Sequence, residues 1–276
     1  MKKFIYILLF TILATAAFSG LNEKLFDAVA YEGIGKVKEL VAKGANVNAK
    51  NSFGVPVVHV AVENRKWEIA KFLLSKGANS KSKNMIGHTV IHSAALAGNL
   101  DMVKYLLAKG HNVNEKDPKG WIILHEAVKS RNVDLVRYLI KKGANMYVKN
   151  DIDYTALHLA AGRQDMDMVK GLVESGFKVN TKGPSGQTAI FKGIFHKNLL
   201  LVKYLIAKGT DLQQKDDLGR TVLHEAAMVG NLQIAEYLLS KGARLNVKDS
   251  LNRTALDEAE SAEMKAFLIK RGAKRG

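Results

Sequence analysis

Asn84–Lys116 reads NMIGHTVIHSAALAGNLDMVKYLLAKGHNVNEK, and the spacing of its apolar residues decides the fold. Gly87 and Thr89 open the stretch, and Ile91, Ala94 and Ala95 fall on one face of a short helix. Gly98-Asn99 is a turn signal between two periodic segments. Met102, Val103, Leu106 and Leu107 then repeat at the i, i+3, i+4 spacing of a second amphipathic helix. Lys109-Gly110 ends it with a cation in the last turn and a glycine suited to the left-handed C-terminal conformation. Asn112, Asn114, Lys116 and Gly87 flank a polar connection able to form a β-turn. The stretch therefore predicts helix, turn, helix and projecting turn. Neither short helix can bury its apolar face alone, so such units must stack.

Outward from this stretch the pattern repeats. Gly44, Gly77, Gly110, Gly143, Gly176, Gly209 and Gly242 lie 33 residues apart with no insertion or deletion. A fixed period of this size signals a solenoid. A box recurs as Thr89-Val90-Ile91-His92, Thr155-Ala156-Leu157-His158 and Thr221-Val222-Leu223-His224. Later in each unit comes a stretch such as Leu73-Leu74-Ser75-Lys76-Gly77-Ala78, with close copies at Leu106, Leu139 and Leu238. These residues resemble the ankyrin repeat family, with its T-P-L-H box, two alanines and L-L-x-x-G-A stretch. The resemblance implies an all-α ankyrin-repeat α-solenoid of about seven to eight helix-turn-helix units with projecting β-turn arms. It assigns residues 20–276 to one repeat domain, in units of about 20–50, 51–83, 84–116, 117–149, 150–182, 183–215, 216–248 and 249–276.

Departures from the family pattern carry expectations of their own. The box proline is absent from every unit, and from the second unit on Val, Ile or Ala replaces it, which removes a residue pre-set for the first helical position. The first unit, around Leu25-Phe26-Asp27-Ala28, reads as half-formed. In unit 183–215, Phe191 replaces the histidine, Gly193 the first alanine and Lys197 the inter-helix glycine, which marks it as irregular. The last unit is three residues shorter between its helices, and Asp257, Glu258, Glu260 and Glu263 suit a terminal cap facing water.

Residues 1–19 read differently. Lys2 and Lys3 precede an apolar run, Phe4–Phe18, ending in small residues around Ala14, Ala16, Ala17, Ser19 and Gly20. Those are the three regions of a secretory signal peptide, of a bacterial kind, with cleavage between Ala16 and Gly20. The run is shorter than the ~20 residues a spanning helix needs. The expected address is the periplasm or outside the cell, with inner-membrane anchoring by an uncleaved signal as the alternative. No later stretch is apolar enough to span a bilayer. The chain carries a net charge of +16, which raises the question of an anionic partner. It contains no Cys, which excludes disulfides, thiolate metal sites and cysteine nucleophiles.

Nothing in the sequence assembles a catalytic centre. His59, His92, His125, His158 and His224 share one repeat position. Equivalent positions in stacked helices are separated by about 10 Å, whereas zinc draws each nitrogen to ~2.1 Å. The resemblance instead makes this histidine a structural hydrogen-bonding residue. His125-Glu126 and His224-Glu225 begin like a zinc-protease motif, but Lys129 and Met228 stand where its second histidine belongs. No phosphate loop, dinucleotide fingerprint, calcium loop or nucleophile elbow occurs. A non-catalytic protein without cofactors or metal is expected.

Basic residues fall in stripes. Lys50, Lys83, Lys116, Lys149, Lys182, Lys215 and Lys248 close successive units on the projecting arm, the candidate anion-facing edge. Lys43, Lys76, Lys109, Lys142, Lys208 and Lys241 precede the helix-ending glycines, where cations favour the helix dipole. Lys38, Lys71, Lys104, Arg137, Lys170 and Lys203 lie on the second helix. The series Phe72, Tyr105, Tyr138, Tyr204, Tyr237 and Phe267 on that helix reads as packing between repeats, interrupted at Gly171.

Members of the family usually bind partners with turn tips and the first-helix face. The resemblance therefore makes Phe53, Val55, Met85, Ile86, Trp121, Ile152 and Tyr154 the candidate partner-binding strip, extended by Phe195 and Met228. Large apolar groups facing solvent mark interaction surfaces. The later tips, Ser185 and Gln187, Leu218 and Arg220, Leu251 and Arg253, lead to the expectation that the strip fades after the fourth unit. The expected function is an exported protein–protein interaction module, monomeric, with another protein, acidic in character, as partner. The competing readings are a polyanion-binding envelope protein acting through the lysine edge and an accessory factor of a periplasmic enzyme. Nucleic acid is not expected, because no aromatic ladder interleaves with the lysines.

Overall fold

A computed structural model describes residues 20–276; the expected signal peptide, residues 1–19, lies outside them. Two compact units divide the chain at Pro118 and Lys119. Among the described residues helices account for the regular structure, and none is long and apolar enough to cross a membrane.

In the first unit, α1 (20–27) runs into a π-helical turn, Ala28–Glu32, and is followed by α2 (Ile34–Ala42), α3 (Val57–Glu63), α4 (Trp67–Ser75), α5 (Val90–Leu96) and α6 (Leu100–Ala108). The template stretch thus folds as its spacing predicts. The first repeat, however, is a complete helix pair rather than half-formed. Its first helix runs on to Glu32 and breaks at Gly33, where φ is +114°. Leu25, Ala28 and Val29 are fully buried.

In the second unit come α7 (Ile123–Lys129), α8 (Val133–Lys141), α9 (Ala156–Gly162), α10 (Met166–Glu174), α11 (Ala189–Phe195), α12 (Leu199–Ala207), α13 (Val222–Val229), α14 (Leu232–Ser240), α15 (Ala255–Glu258) and α16 (Ala262–Lys270). First helices stack on first helices, as α9 on α11 and α11 on α13, and second helices on second, as α8 on α10. Apolar faces that one short helix could not bury are closed by its neighbours: Leu139, Leu172, Leu205 and Leu238 are all fully buried.

Polar side chains sew successive repeats together. Nε2–H of His158 donates to the Gln187 carbonyl at 3.1 Å, while its Nδ1 accepts from the Thr155 hydroxyl at 2.7 Å. His92 makes the same pair of bonds to Glu115 and Thr89 in the first unit. With both ring nitrogens occupied, the shared histidines are structural, and burial lowers the pKa of His59, His158 and His224. A second staple was not foreseen: the Asn180 amide donates to the Gly209 carbonyl and accepts from Asp211 N–H, both at 2.9 Å. Asn48, Gln213 and Asn246 do likewise, and at Tyr147 a hydroxyl takes the place of the amide.

Most second helices are N-capped by a side chain: Asn99, Asn132, Asp165, Asn198, Asn231 and Ser261 each accept from the backbone N–H three residues on. In α4 this position is Lys66, and no side chain caps the helix. One residue before each of these caps the backbone turns left-handed, from α3–α4 to α13–α14. Glycine serves there at Gly98 and Gly230, but Arg65, Arg131, Gln164 and Lys197 adopt φ of 56°, 62°, 55° and 56°. The expectation that Lys197 sets unit 183–215 apart is therefore overturned, since three other repeats do the same. Gly193 in that unit has a packing reason: a Cβ there would stand 3.2 Å from Val202 Cγ2 and 3.3 Å from Leu201 Cγ.

Candidate functional site

Each arm is shaped by the residue that begins it. The Asn51 side-chain oxygen accepts from the N–H groups of Phe53 and Val55, and Asn84 from those of Ile86 and His88. In the second unit Asn150, Asp216 and Asp249 do the same for the residues two and four places on. Between the two bonds the chain passes through a left-handed residue, such as Gly54, Gly87, Asp153 or Gly219. The residue two places on is thrown outward to the tip. The residue four places on is turned back towards the first helix.

This division sorts the candidates. Phe53 is 73% exposed, Ile86 56% and Ile152 57%. Met85, next to Ile86, is 70% exposed. Val55, read from sequence as part of the strip, is buried; it is a turned-back residue packed below the tip. Trp121 and Tyr154 share its position and are half-buried. Trp121 stands edge-on to His125 with ring centroids 5.5 Å apart, and Lys129 Nζ lies 4.4 Å from its ring centroid. Tyr154 meets His158 in the same way at 6.3 Å and carries Lys192 Nζ at 5.2 Å. Both are therefore partly covered rather than free at a tip. Phe195, at the end of α11, is 59% exposed, and Met228 is half-buried.

The expected fading of the strip is overturned. Leu218 and Leu251 occupy the outward position of later arms and are 52% and 69% exposed. The gaps fall at Lys119 and Ser185 instead. Leu218 and Leu251 stand in the same repeat register as Phe53, Ile86 and Ile152. That register, rather than their pairing with Arg220 and Arg253, is the sequence signal that finds them.

All seven lysines of the arm edge are exposed. In the second unit, Lys182 Nζ donates to the Lys215 carbonyl at 2.8 Å, and Lys215 Nζ to the Lys248 carbonyl at 2.9 Å. These two serve as links between repeats. In the first unit Lys50, Lys83 and Lys116 make no ion pair or side-chain hydrogen bond among the described residues.

The other two lysine stripes are tied to the aromatic series. Lys76, Lys109, Lys142, Lys208 and Lys241 each lie over the ring four residues earlier, at 5.5–5.8 Å from the centroid. Lys38, Lys71 and Lys203 reach the ring of the next repeat at 5.4–5.9 Å. Ammonium groups over ring faces at these distances are attracted by the ring quadrupole, by ~0.5–1 kcal/mol at exposed sites. Much of the positive charge on the second helices thus has a structural use. At Gly171, where the aromatic series is interrupted, a Cβ would stand 2.7 Å from Val133 Cγ1.

A family model described as ankyrin repeats (3 copies) matches residues 25–117, 109–183 and 191–274. Among solved structures, the chain is similar to the ankyrin repeat domain of Bcl-3, described as a unique member of the IkappaB protein family. The TM-score is 0.68 at 23% identity, covering 77% of this chain and 97% of that one. It is also similar to the human ASB11 ankyrin repeat domain, with TM-score 0.69 at 23% identity, covering 79% and 99%. At these identities the likeness concerns the fold. Among curated protein sequences none matches this chain.

Proposed function

Because the chain belongs to the ankyrin repeat family, whose repeats generally mediate protein–protein interaction, we propose that it is an exported, non-catalytic interaction module that binds another protein through its arm tips. The observation that carries this reading is the exposure of large apolar side chains at the outward arm position. Phe53 and Ile86 hold it in the first unit, and Ile152, Leu218 and Leu251 in the second. Single exposed apolar residues are ordinary, but their recurrence at one arm register supports a shared interaction surface. The ankyrin fold is typically a non-catalytic scaffold, and the shared histidines, which carry the most suggestive chemistry in the sequence, are committed to structural bonds.

A photo-crosslinking amino acid placed at Phe53 or Ile86 tests the surface, with Ala108 on the second helix as control. In an envelope fraction from the source cells, discrete protein adducts at the tips and none at Ala108 are expected. Equal labelling at all three sites, or none, overturns the reading. Export is tested separately by sequencing the N-terminus of the natively produced protein, expected near Ala17 or Gly20; a chain starting at Met1 overturns it. A second reading, binding of a polyanion through the arm edge, is favoured by the unpaired Lys50, Lys83 and Lys116. Binding that weakens steeply with salt would support it, and salt-insensitive adduct formation at Phe53 would exclude it.

A further inference from the structure

In the first unit a cavity of about 340 Å³ opens between arm and first helix, lined by Glu63, Asn84, Ile86, His88, Ser93 and Leu96. Four repeats later, within the second unit, the same positions are Phe195, Asp216, Leu218, Arg220, Glu225 and Met228. Their chemistry differs. Phe195 and Leu218 are exposed apolar walls. Asp216 and Arg220 satisfy each other at 2.9 Å, and an Arg220 guanidinium nitrogen lies 4.0 Å from Met228 Sδ.

Glu225 is left over. It is 4% exposed, and among the described residues its carboxylate has no ion pair and no hydrogen bond. Burial raises its pKa; Arg220 and Lys192 act against this, both from beyond ion-pair distance. The same unit contains a built-in comparison. Glu126 occupies the equivalent position three repeats earlier, is fully buried, and is met by Lys129 Nζ at 3.0 Å. At the repeat of Glu225 the residue matching Lys129 is Met228. The cation that closes the first arrangement is missing from the second, and a thioether stands beside the place it would occupy.

We propose that the buried Glu225 carboxylate receives a basic side chain, arginine or lysine, of a partner polypeptide, which takes the place at Glu225 that Lys129 takes at Glu126. Apolar residues flanking that basic residue lie against Phe195 and Leu218. The inference rests on the reading of this chain as a protein-binding repeat array and gives its partner a specific chemistry: an apolar segment interrupted by a cation. A buried carboxylate without a partner is costly, and a charged donor that also brings apolar cover offsets that cost on binding.

The test uses the full chain labelled at its methionine methyls and the peptide acetyl-Ala-Leu-Arg-Leu-Ala-amide, with citrulline and norleucine in place of arginine as controls. Saturable shifts of the Met228 methyl resonance are expected with the arginine peptide, and binding about tenfold or more weaker with citrulline. Glu225→Gln should weaken the arginine peptide by a similar factor while melting no lower than the parent, since it removes a desolvated charge. Met228→Lys, read by calorimetric titration because it lacks the methyl probe, should fill the place internally and abolish binding. Equal binding of all three peptides, or undiminished binding to Glu225→Gln, overturns the site. Self-association that is lost in Glu225→Gln gives the site to a second copy of the chain and overturns its assignment to a different partner. Adducts at Phe53 and Ile86 separate the two levels. If they form normally while the peptide fails, only the site is wrong; if they are absent too, the protein-binding reading itself falls.

Discussion

Lowering the pH should destabilise the second unit through His158. The imidazole is 1% exposed, donates to the Gln187 carbonyl and accepts from Thr155. Burial pushes its pKa down from 6.5 to about 4, with Lys192 and Lys149 acting in the same direction and the Gln187 bond against it. Because the folded value lies below the unfolded one, folding favours the neutral ring. The stabilisation is complete above pH 6.5 and is lost as the unfolded chain takes up a proton that the folded one refuses. Between pH 6.5 and 4 the slope approaches ~1.4 kcal/mol per pH unit for one histidine. From pH 7 to pH 5 the loss is therefore about 2 kcal/mol, and His224, in the same unit and lowered by burial in the same way, adds to it. The perturbation is His158→Gln, which removes the titrating group. Urea unfolding followed by circular dichroism should show the variant less stable at pH 7, by ~1–2 kcal/mol for the lost bonds. At pH 5 that deficit should shrink or reverse by about 2 kcal/mol. A proton NMR titration of His158 should run in parallel, with its midpoint near 4. A deficit of equal size at both pH values, or a ring titrating near 6.5, would refute the reasoning.

Three substitutions test the repeat geometry itself. Lys66→Asn supplies α4 with the cap that Asn99 gives α6, and should raise stability by about 1 kcal/mol in urea unfolding; no change would mean that Lys66 is already compensated. Lys197→Gly relieves a left-handed lysine worth ~1–2 kcal/mol of backbone strain at an unfolded-chain cost of ~0.5–1 kcal/mol. It should leave a modest gain in melting temperature, and a loss would show that Lys197 is not strained. Gly193→Val drives a branched side chain into Leu201 and Val202 and should cost about 1–3 kcal/mol, seen as faster hydrogen exchange in α11 and α12; unchanged exchange would show that the neighbouring helices can move apart.

What the sequence determined by itself is the period and everything that depends only on place within it. In a stack of repeats, the neighbours of Leu106 or Ala94 lie within the same unit or the next one at fixed separation. Spacing alone thus foretold the two helices of Asn84–Lys116, their buried faces and the glycine-terminated ends. The same argument, applied to register, would have found Leu218 and Leu251. What only the tertiary structure decided is the direction each side chain takes once the backbone turns. Phe53 and Val55 are both apolar and two residues apart. The hydrogen bonds from their N–H groups to Asn51, with the left-handed Gly54 between them, send one to solvent and the other inward. Lysine stripes that look alike in sequence divide into ring-covering cations, repeat-linking donors and free charges, because ring and carbonyl positions depend on how adjacent helices stack. Glu225 shows the difference most sharply. Its sequence neighbours His224 and Met228 say only that a zinc motif is broken, whereas burial without a partner, beside the satisfied Glu126–Lys129 pair, makes it a site.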